Sequence, residues 1–256
     1  MDDPIAGGKG MQLVEATGLV KTFSRLRAVD GVSLSVSRGE VVGFLGPNGA
    51  GKSTTMKMLT GFLEPDAGTA SIAGHDVFAD PIAARRRLGY LPEGAPAYGD
   101  MTVADFLAFI GRMRGLSGTL LNDRLAEMVE RVNLTGVWNR QIDALSKGFK
   151  RRVGIAQALI HDPEVLILDE PTDGLDPNQK HDMRELIASI APGKAIVIST
   201  HILEEVEAIC SRVVIIAEGR VVADATPAAL LDAAIVDGIR PSLETVFRSI
   251  TGSKAA

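Results

Sequence analysis

Apolar residues follow two different rhythms along this chain, and the change from one to the other divides it. Residues 13–16 and 32–36 alternate apolar and polar side chains, which predicts half-buried antiparallel strands. The run Val41-Val42-Gly43-Phe44-Leu45 behaves differently. It is apolar throughout, introduced by the turn residues Arg38-Gly39 and Glu40, and predicts a buried strand. Residues 54–59 then read as a helix. Short strands follow at 69–72, before the turn residue Gly74, and at 88–91, stopped by Pro92.

From about 93 to 160 the rhythm becomes helical. Thr102 and Asp105 resemble a capping box that opens a helix over 103–114. Amphipathic stretches cover 119–132 and 147–160, and Pro163 ends the second. Strands and helices then alternate: strand 165–168, helix 177–190 with Asp176 as its cap and Pro177 in its first turn, strand 195–199, helix 202–210 and strand 213–216. Residues 213–222 around Gly219 predict a hairpin. The pattern implies an α/β fold with a mixed sheet, an antiparallel β subdomain and an all-helical insertion. The expected divisions are a core over 11–92 and 161–226, a helical subdomain over 93–160, a flexible N-terminal tail over 1–10 and a C-terminal tail over 227–256.

Composition narrows the classes. The 256 residues suffice for one large α/β domain carrying an insertion, and 46% hydrophobic with 23% charged residues is globular and soluble. Aromatics are 4%, too sparse for a base-stacking platform, and the net charge of −5 argues against nucleic acid as the main partner. The basic runs Arg85-Arg86-Arg87 and Lys150-Arg151-Arg152 are short and read as solvated helix faces. The single cysteine, Cys210, excludes an internal disulfide and fits a reducing compartment; its apolar helical surroundings predict a buried, inert thiol. No apolar run approaches the ~20 residues that span a bilayer, and the start lacks the charged and apolar regions of a signal peptide. A membrane role is therefore expected to come through a partner.

The chemistry concentrates after the first buried strand. Gly46-Pro47-Asn48-Gly49-Ala50-Gly51-Lys52-Ser53 matches the phosphate-binding pattern G-x-x-x-x-G-K-[ST], between a predicted strand and a predicted helix. Glycines let successive backbone N–H groups turn toward one anion, and the helix that follows directs its partly positive end there. Lys52 adds a full charge for the β- and γ-phosphates, and the Ser53 hydroxyl suits Mg²⁺. Val165-Leu166-Ile167-Leu168-Asp169-Glu170 delivers two carboxylates at the end of a buried strand, where parallel strands gather ligands. Asp169 would face the metal, and Glu170 could polarise an attacking water. His201, at the end of the next strand, suggests a γ-phosphate contact. Ser146 and Gly148 precede a helix and read either as an ordinary cap or as a second anion site.

Taken together, these segments resemble the nucleotide-binding domain of ABC transporters, over nearly the whole chain. Residues 46–54, from Gly46 to Thr54, look like the family's Walker A; residues 165–170 look like Walker B and residues 145–149 like the signature motif. Asp173-Gly174-Leu175-Asp176 looks like the D-loop, His201 like the switch histidine, and Phe23 falls where the family places an aromatic on adenine. The resemblance implies a P-loop NTPase core that takes ATP and Mg²⁺. The stretch 241–247 resembles the end of ATPases from the exporter branch for drugs, polysaccharides and gliding-motility components. Three departures stand out. Glu93 replaces the family's usual Gln near the metal. Lys147 and Phe149 replace Gly and Gln in the signature, which puts a ribose contact in doubt. Asp173-Gly174 stands where Ser-Ala is common.

The implied mechanism is a head-to-tail dimer, homomeric or heteromeric. Each ATP lies between Lys52 and Ser53 of one subunit and Ser146 and Gly148 of the other, and Glu170 with His201 supports hydrolysis. A separate transmembrane permease would dock on the helical insertion and on residues 93–101, where residues 94–99 are either a mobile coupling loop or a plain connector. The protein would then be cytoplasmic, peripheral on the inner face of the cell membrane, touching it only through the permease. Two rival readings remain at this point: a soluble ATPase of the same family acting on a non-membrane target, and a non-catalytic nucleotide-binding regulatory subunit. The cargo is chosen by the permease, so this sequence does not carry it.

Overall fold

The strand that feeds the phosphate loop runs through the middle of a six-stranded sheet. The computed structural model describes residues 11–235 and 241–252, so the expected 1–10 tail lies outside the described residues. In chain order, β1 (Gln12–Phe23) and β2 (Leu26–Ser37) form a long hairpin, and β3 (Val41–Leu45) leads into α1 (Lys52–Leu59). Then come β4 (Ala67–Ile72), β5 (His75–Asp76), α2 (Pro81–Arg87) and β6 (Leu88–Leu91). Three helices follow: α3 (Val103–Met113), α4 (Gly118–Arg131) and α5 (Lys147–Leu159). The chain closes with β7 (Val165–Asp169), α6 (Pro177–Ile190), β8 (Ala195–Thr200), α7 (Leu203–Ile209), β9 (Arg212–Ala217), β10 (Arg220–Ala225), α8 (Pro227–Ala233) and α9 (Leu243–Thr251).

The strands form an antiparallel sheet of order β2-β1-β4-β5 and a mixed sheet of order β10-β9-β3-β8-β7-β6, in which only β10 runs antiparallel to its neighbour. The apolar runs are continuous because both faces of the mixed sheet are covered. Val41 and Leu45 pack on one side with Phe106, Met128 and Ile155 of the helical layer. Val42 and Phe44 pack on the other with Leu13, Val32, Met56 and Met58. Leu166 and Leu168 divide from Val165 and Ile167 in the same way. This is the period-2 alternation of a strand, hidden in the sequence because both sides are apolar.

The helical layer is set close against the sheet by glycine. A Cβ on Gly89 of β6 would sit 2.2 Å from the carbonyl oxygen of Ala158, and one on Gly154 would sit 2.6 Å from Leu91 Cδ1. With no side chain at either position, α5 lies directly on β6. The middle and the C-terminal end of α5 are thereby seated on β6 and the loop after it. Elsewhere the local signals hold. Thr102 Oγ1 accepts the Asp105 N–H at 3.1 Å and Asp176 Oδ1 accepts that of Gln179 at 3.0 Å. Glu218 and Gly219 both have positive φ, as the tight turn between β9 and β10 requires.

Some features differ from the pattern read in the sequence. The β1–β2 hairpin is far longer than 13–16 and 32–36, because backbone pairing with several register shifts continues through polar positions. Of helix α2 only the basic run 85–87 was read, as a solvated helix face; the helix has seven residues and buries only Ala84. The described part of 227–256 holds α8 and α9, whose Leu230, Leu243 and Val246 join the core. The run at 150–152 is not a solvated face. Arg151 is 2% exposed, since the helix turns it toward the carboxylates of Asp173, Glu93, Asp169 and Glu170 while Lys150 and Arg152 stay nearer solvent. Arg85, Arg86 and Arg87 are exposed as expected, and burial pushes the Cys210 thiol up to about 12.

Candidate functional site

Between the end of β3 and the first turn of α1, residues 46–51 wrap round an open space. Gly49 and Gly51 have φ of 80° and 103°, conformations that side chains resist. A Cβ on Gly51 would also strike the Ala28 carbonyl oxygen at 2.4 Å. The loop is held from outside: Gly219 N–H of the β9–β10 turn donates to Ala50 O at 3.0 Å. Lys52 is buried and folds back over its own loop, donating to Gly46 O at 2.7 Å and Pro47 O at 3.2 Å. Burial holds its pKa below the usual lysine range, and the carboxylates of Glu170, Asp169 and Glu93 oppose that shift. Among the described residues, its hydrogen bonds go to these two backbone carbonyls.

The space in front of the loop is a cavity of about 330 Å³. Asn48, Gly49, Gly51, Lys52, Ser53 and Thr54 form its floor, Phe23, Leu26 and Ala28 one wall, and Glu93 and Glu170 another. Three of the four stretches meet there because β3, β6 and β7 are parallel and end on one edge of the sheet; the fourth is the tip of the β1–β2 hairpin. Leu26 and Ala28 were not singled out in the sequence. Leu26 is 68% exposed beside the half-exposed Phe23.

Asp169 is buried at the end of β7. Its Oδ1 accepts a hydrogen bond from the Ser199 hydroxyl, while its Oδ2 is buried with no partner. An unpartnered buried carboxylate oxygen is costly unless a cation completes it. Glu170 follows in a left-handed conformation, φ 50°, held by Glu170 N–H to Ser199 O at 3.0 Å and Asp173 N–H to Glu170 O at 3.2 Å. Its carboxylate faces His201 Nδ1 at 3.0 and 3.1 Å. Burial raises the Glu170 pKa, and the histidine hydrogen bond works against the rise. Glu205, also unremarked in the sequence, is buried beneath the pair. It accepts from the hydroxyls of Thr172 and Thr200, and so ties the chain after Glu170 to the chain before His201.

Ser146 caps α5, its Oγ accepting the Phe149 N–H at 3.4 Å. Gly148 is covered by Gln179, whose Oε1 would lie 2.6 Å from a Cβ there. Among the described residues, neither Ser146 nor Gly148 lines the cavity at the phosphate loop.

Residues 29–173 match the family model described as ABC transporter. The chain is 42% identical to a Nod factor export ATP-binding protein I of Burkholderia lata, over 87% of this chain and 73% of that protein. It is 39% identical to the daunorubicin/doxorubicin resistance ATP-binding protein DrrA of Streptomyces peucetius, over 83% of this chain and 65% of that one. A solved ATP binding subunit of an ABC transporter superposes with a TM-score of 0.84 at 33% identity, covering 93% of this chain and 99% of its own.

Proposed function

The chain belongs to the ABC transporter family, and on that footing we propose that it binds and hydrolyses ATP to drive export through a separate transmembrane permease, working as a dimer that encloses the nucleotide. One observation carries the dimer. The cavity collects the phosphate loop, Phe23, Glu93 and Glu170, whereas Ser146 and Gly148 stand outside it. One subunit thus holds half of a site, and the capped start of α5 is the half offered to a partner.

Within that site each residue has a task. Phe23 stacks on the adenine, with Leu26 extending the apolar wall. The backbone N–H groups of 46–54 hold phosphate oxygens, and Lys52 exchanges two carbonyls for them. Ser53 and Asp169 are the residues to hold Mg²⁺, with Glu93 nearby, and the unpartnered Oδ2 of Asp169 fits that assignment. The ion supplies charge neutralisation at the β- and γ-phosphates. Glu170 takes the proton of the attacking water, and His201 keeps both oxygens of that carboxylate in place. Ser146 and Gly148 of the opposite subunit close over the γ-phosphate. Closure does work on the permease because ATP binds the closed dimer more tightly than the open one.

The permease docks beside α3 and the 93–101 segment. There Tyr98 packs edge-on against Phe106 and Phe109, at centroid distances of 6.1 and 5.8 Å, yet stays 57% exposed. No described helix is long and apolar enough to cross a membrane. Names among the relatives (Nod factor export and drug resistance) favour the outward direction. Sedimentation of the Glu170→Gln protein tests the reading: saturating ATP and Mg²⁺ are expected to produce a dimer, and a monomer under those conditions overturns the enclosed arrangement.

A further inference from the structure

The start of α5 is electrostatically odd. A helix N-terminus is partly positive and favours acids in its first turn. Here the first turns carry Lys147, Lys150, Arg151 and Arg152, with no acid in the first turn. Such a cluster needs anions from outside the helix. Lys150 has Asp143 at 3.7 Å and Arg152 has Asp182 at 2.7 Å. Lys147 Nζ donates to Asp173 Oδ2 at 3.1 Å, across a sequence separation of 26 residues. Arg151, one helical turn beyond Lys147, is buried with Nη1 unpartnered. It feels Asp173 first among the surrounding carboxylates, ahead of Glu93, Asp169 and Glu170.

Two departures from the family pattern therefore meet in space. Lys147 stands where the signature usually has glycine, and Asp173 opens the loop where serine is common. Gly174 belongs to the same arrangement. Its φ is 68°, and a Cβ there would lie 1.9 Å from Lys147 Nζ, so the lysine reaches Asp173 only past a glycine. The loop from Glu170 to Asp173 is itself a tight turn, closed by the Asp173 N–H on Glu170 O at 3.2 Å.

We infer that Lys147 and Asp173 are positioning residues: their ion pair links the signature end of α5 to the turn carrying Glu170 in the same subunit, and so biases the orientation of that turn toward Ser146 and Gly148. The inference rests on the ATPase reading above. Both side chains are about half exposed, 58% and 51%, so the pair acts through orientation more than through stability.

A double-mutant cycle on ATP turnover tests it. Lys147→Met and Asp173→Asn are each expected to lower kcat by about threefold, the scale of one exposed ion pair, with KM within about twofold. The double variant is expected to be no worse than either single one. Additive losses, or single variants at wild-type kcat, overturn the inference. A second readout needs no turnover. In the nucleotide-free protein, Asp173→Asn is expected to speed amide hydrogen exchange in both 146–151 and 171–176, and unchanged exchange there also overturns the pairing. A wild-type chain without ATPase activity would reject the functional reading instead, while the exchange result still decides the pairing.

Discussion

His201 Nδ1 lies 3.0 Å from one carboxylate oxygen of Glu170 and 3.1 Å from the other, so a single ring nitrogen at the end of β8 grips both oxygens offered at the end of β7. The two strands are parallel neighbours, with Asp169 opposite Ser199. The grip compensates for a left-handed Glu170, a conformation that costs on the order of 1–3 kcal/mol in a residue with a side chain. Such strain persists only where the surroundings over-determine it. Here the Ser199 carbonyl, the Asp173 N–H and His201 all do so.

Glu170→Gln is expected to cut ATP turnover by a factor on the order of 10²–10⁴, the usual worth of a positioned base, while leaving nucleotide affinity nearly intact. Steady-state phosphate release beside a nucleotide titration checks both halves. Unchanged turnover removes Glu170 from the role.

Lys52→Ala is expected to weaken ATP binding by roughly 10- to 100-fold, since a charged hydrogen bond contributes about 1.5–3 kcal/mol. The free subunit also loses the two bonds to Gly46 O and Pro47 O that brace its loop. Calorimetry at wild-type affinity would contradict the assignment.

Phe23→Ala is expected to weaken ATP by about tenfold, within the ~1–3 kcal/mol of one stacked base. Every base has a π-face, so GTP is expected to lose as much. A loss confined to ATP would show that the wall reads the base edge instead. Leu26→Ala, at the same wall, is expected to give a smaller loss of the same kind.

His161 provides a pH signature of folding. Burial is the main reason its pKa is lowered to about 4 from the usual 6.5, with the Arg114 charge next. Its Nε2 faces Leu88 O at 3.0 Å and its Nδ1 is buried without a partner, which suits the neutral ring. A depressed pKa in the folded state means that the unfolded chain binds the proton first. Stability is full above about 6.5 and falls as pH drops toward 4, by at most about 3 kcal/mol. Urea unfolding at pH 7 and pH 5 is expected to show the fall in the wild type and a flatter profile in His161→Gln. Parallel profiles would remove His161 as its source.

Much of this was readable along the chain, for local reasons. The phosphate loop is a contiguous run whose chemistry depends on its own backbone. Helix α6 was legible to the residue because Asp176 caps it and Pro177 pre-forms its first turn. The start of helix α2, before the run 85–87, escaped because seven residues carrying three arginines bury a single alanine, although the cap at Asp80 and the proline after it were there to be seen. The outer half of the β1–β2 hairpin escaped because its pairing is made by backbone, through side chains that face water.

Local pattern along the chain settled most strands and helices, apart from the start of α2 and the outer half of the β1–β2 hairpin, and marked the short runs to which phosphate, metal and proton chemistry are assigned. Those properties depend on neighbours within a few residues. Only the tertiary structure decided that Phe23, Leu26, Glu93 and Glu170 share one cavity while Ser146 and Gly148 do not. It alone showed that Arg151 is buried and that Lys147 meets Asp173. The reason is physical. Strand order and register in the mixed sheet, with the close seating of α5 on β6, choose which distant segments touch, and no periodicity within a segment encodes that choice.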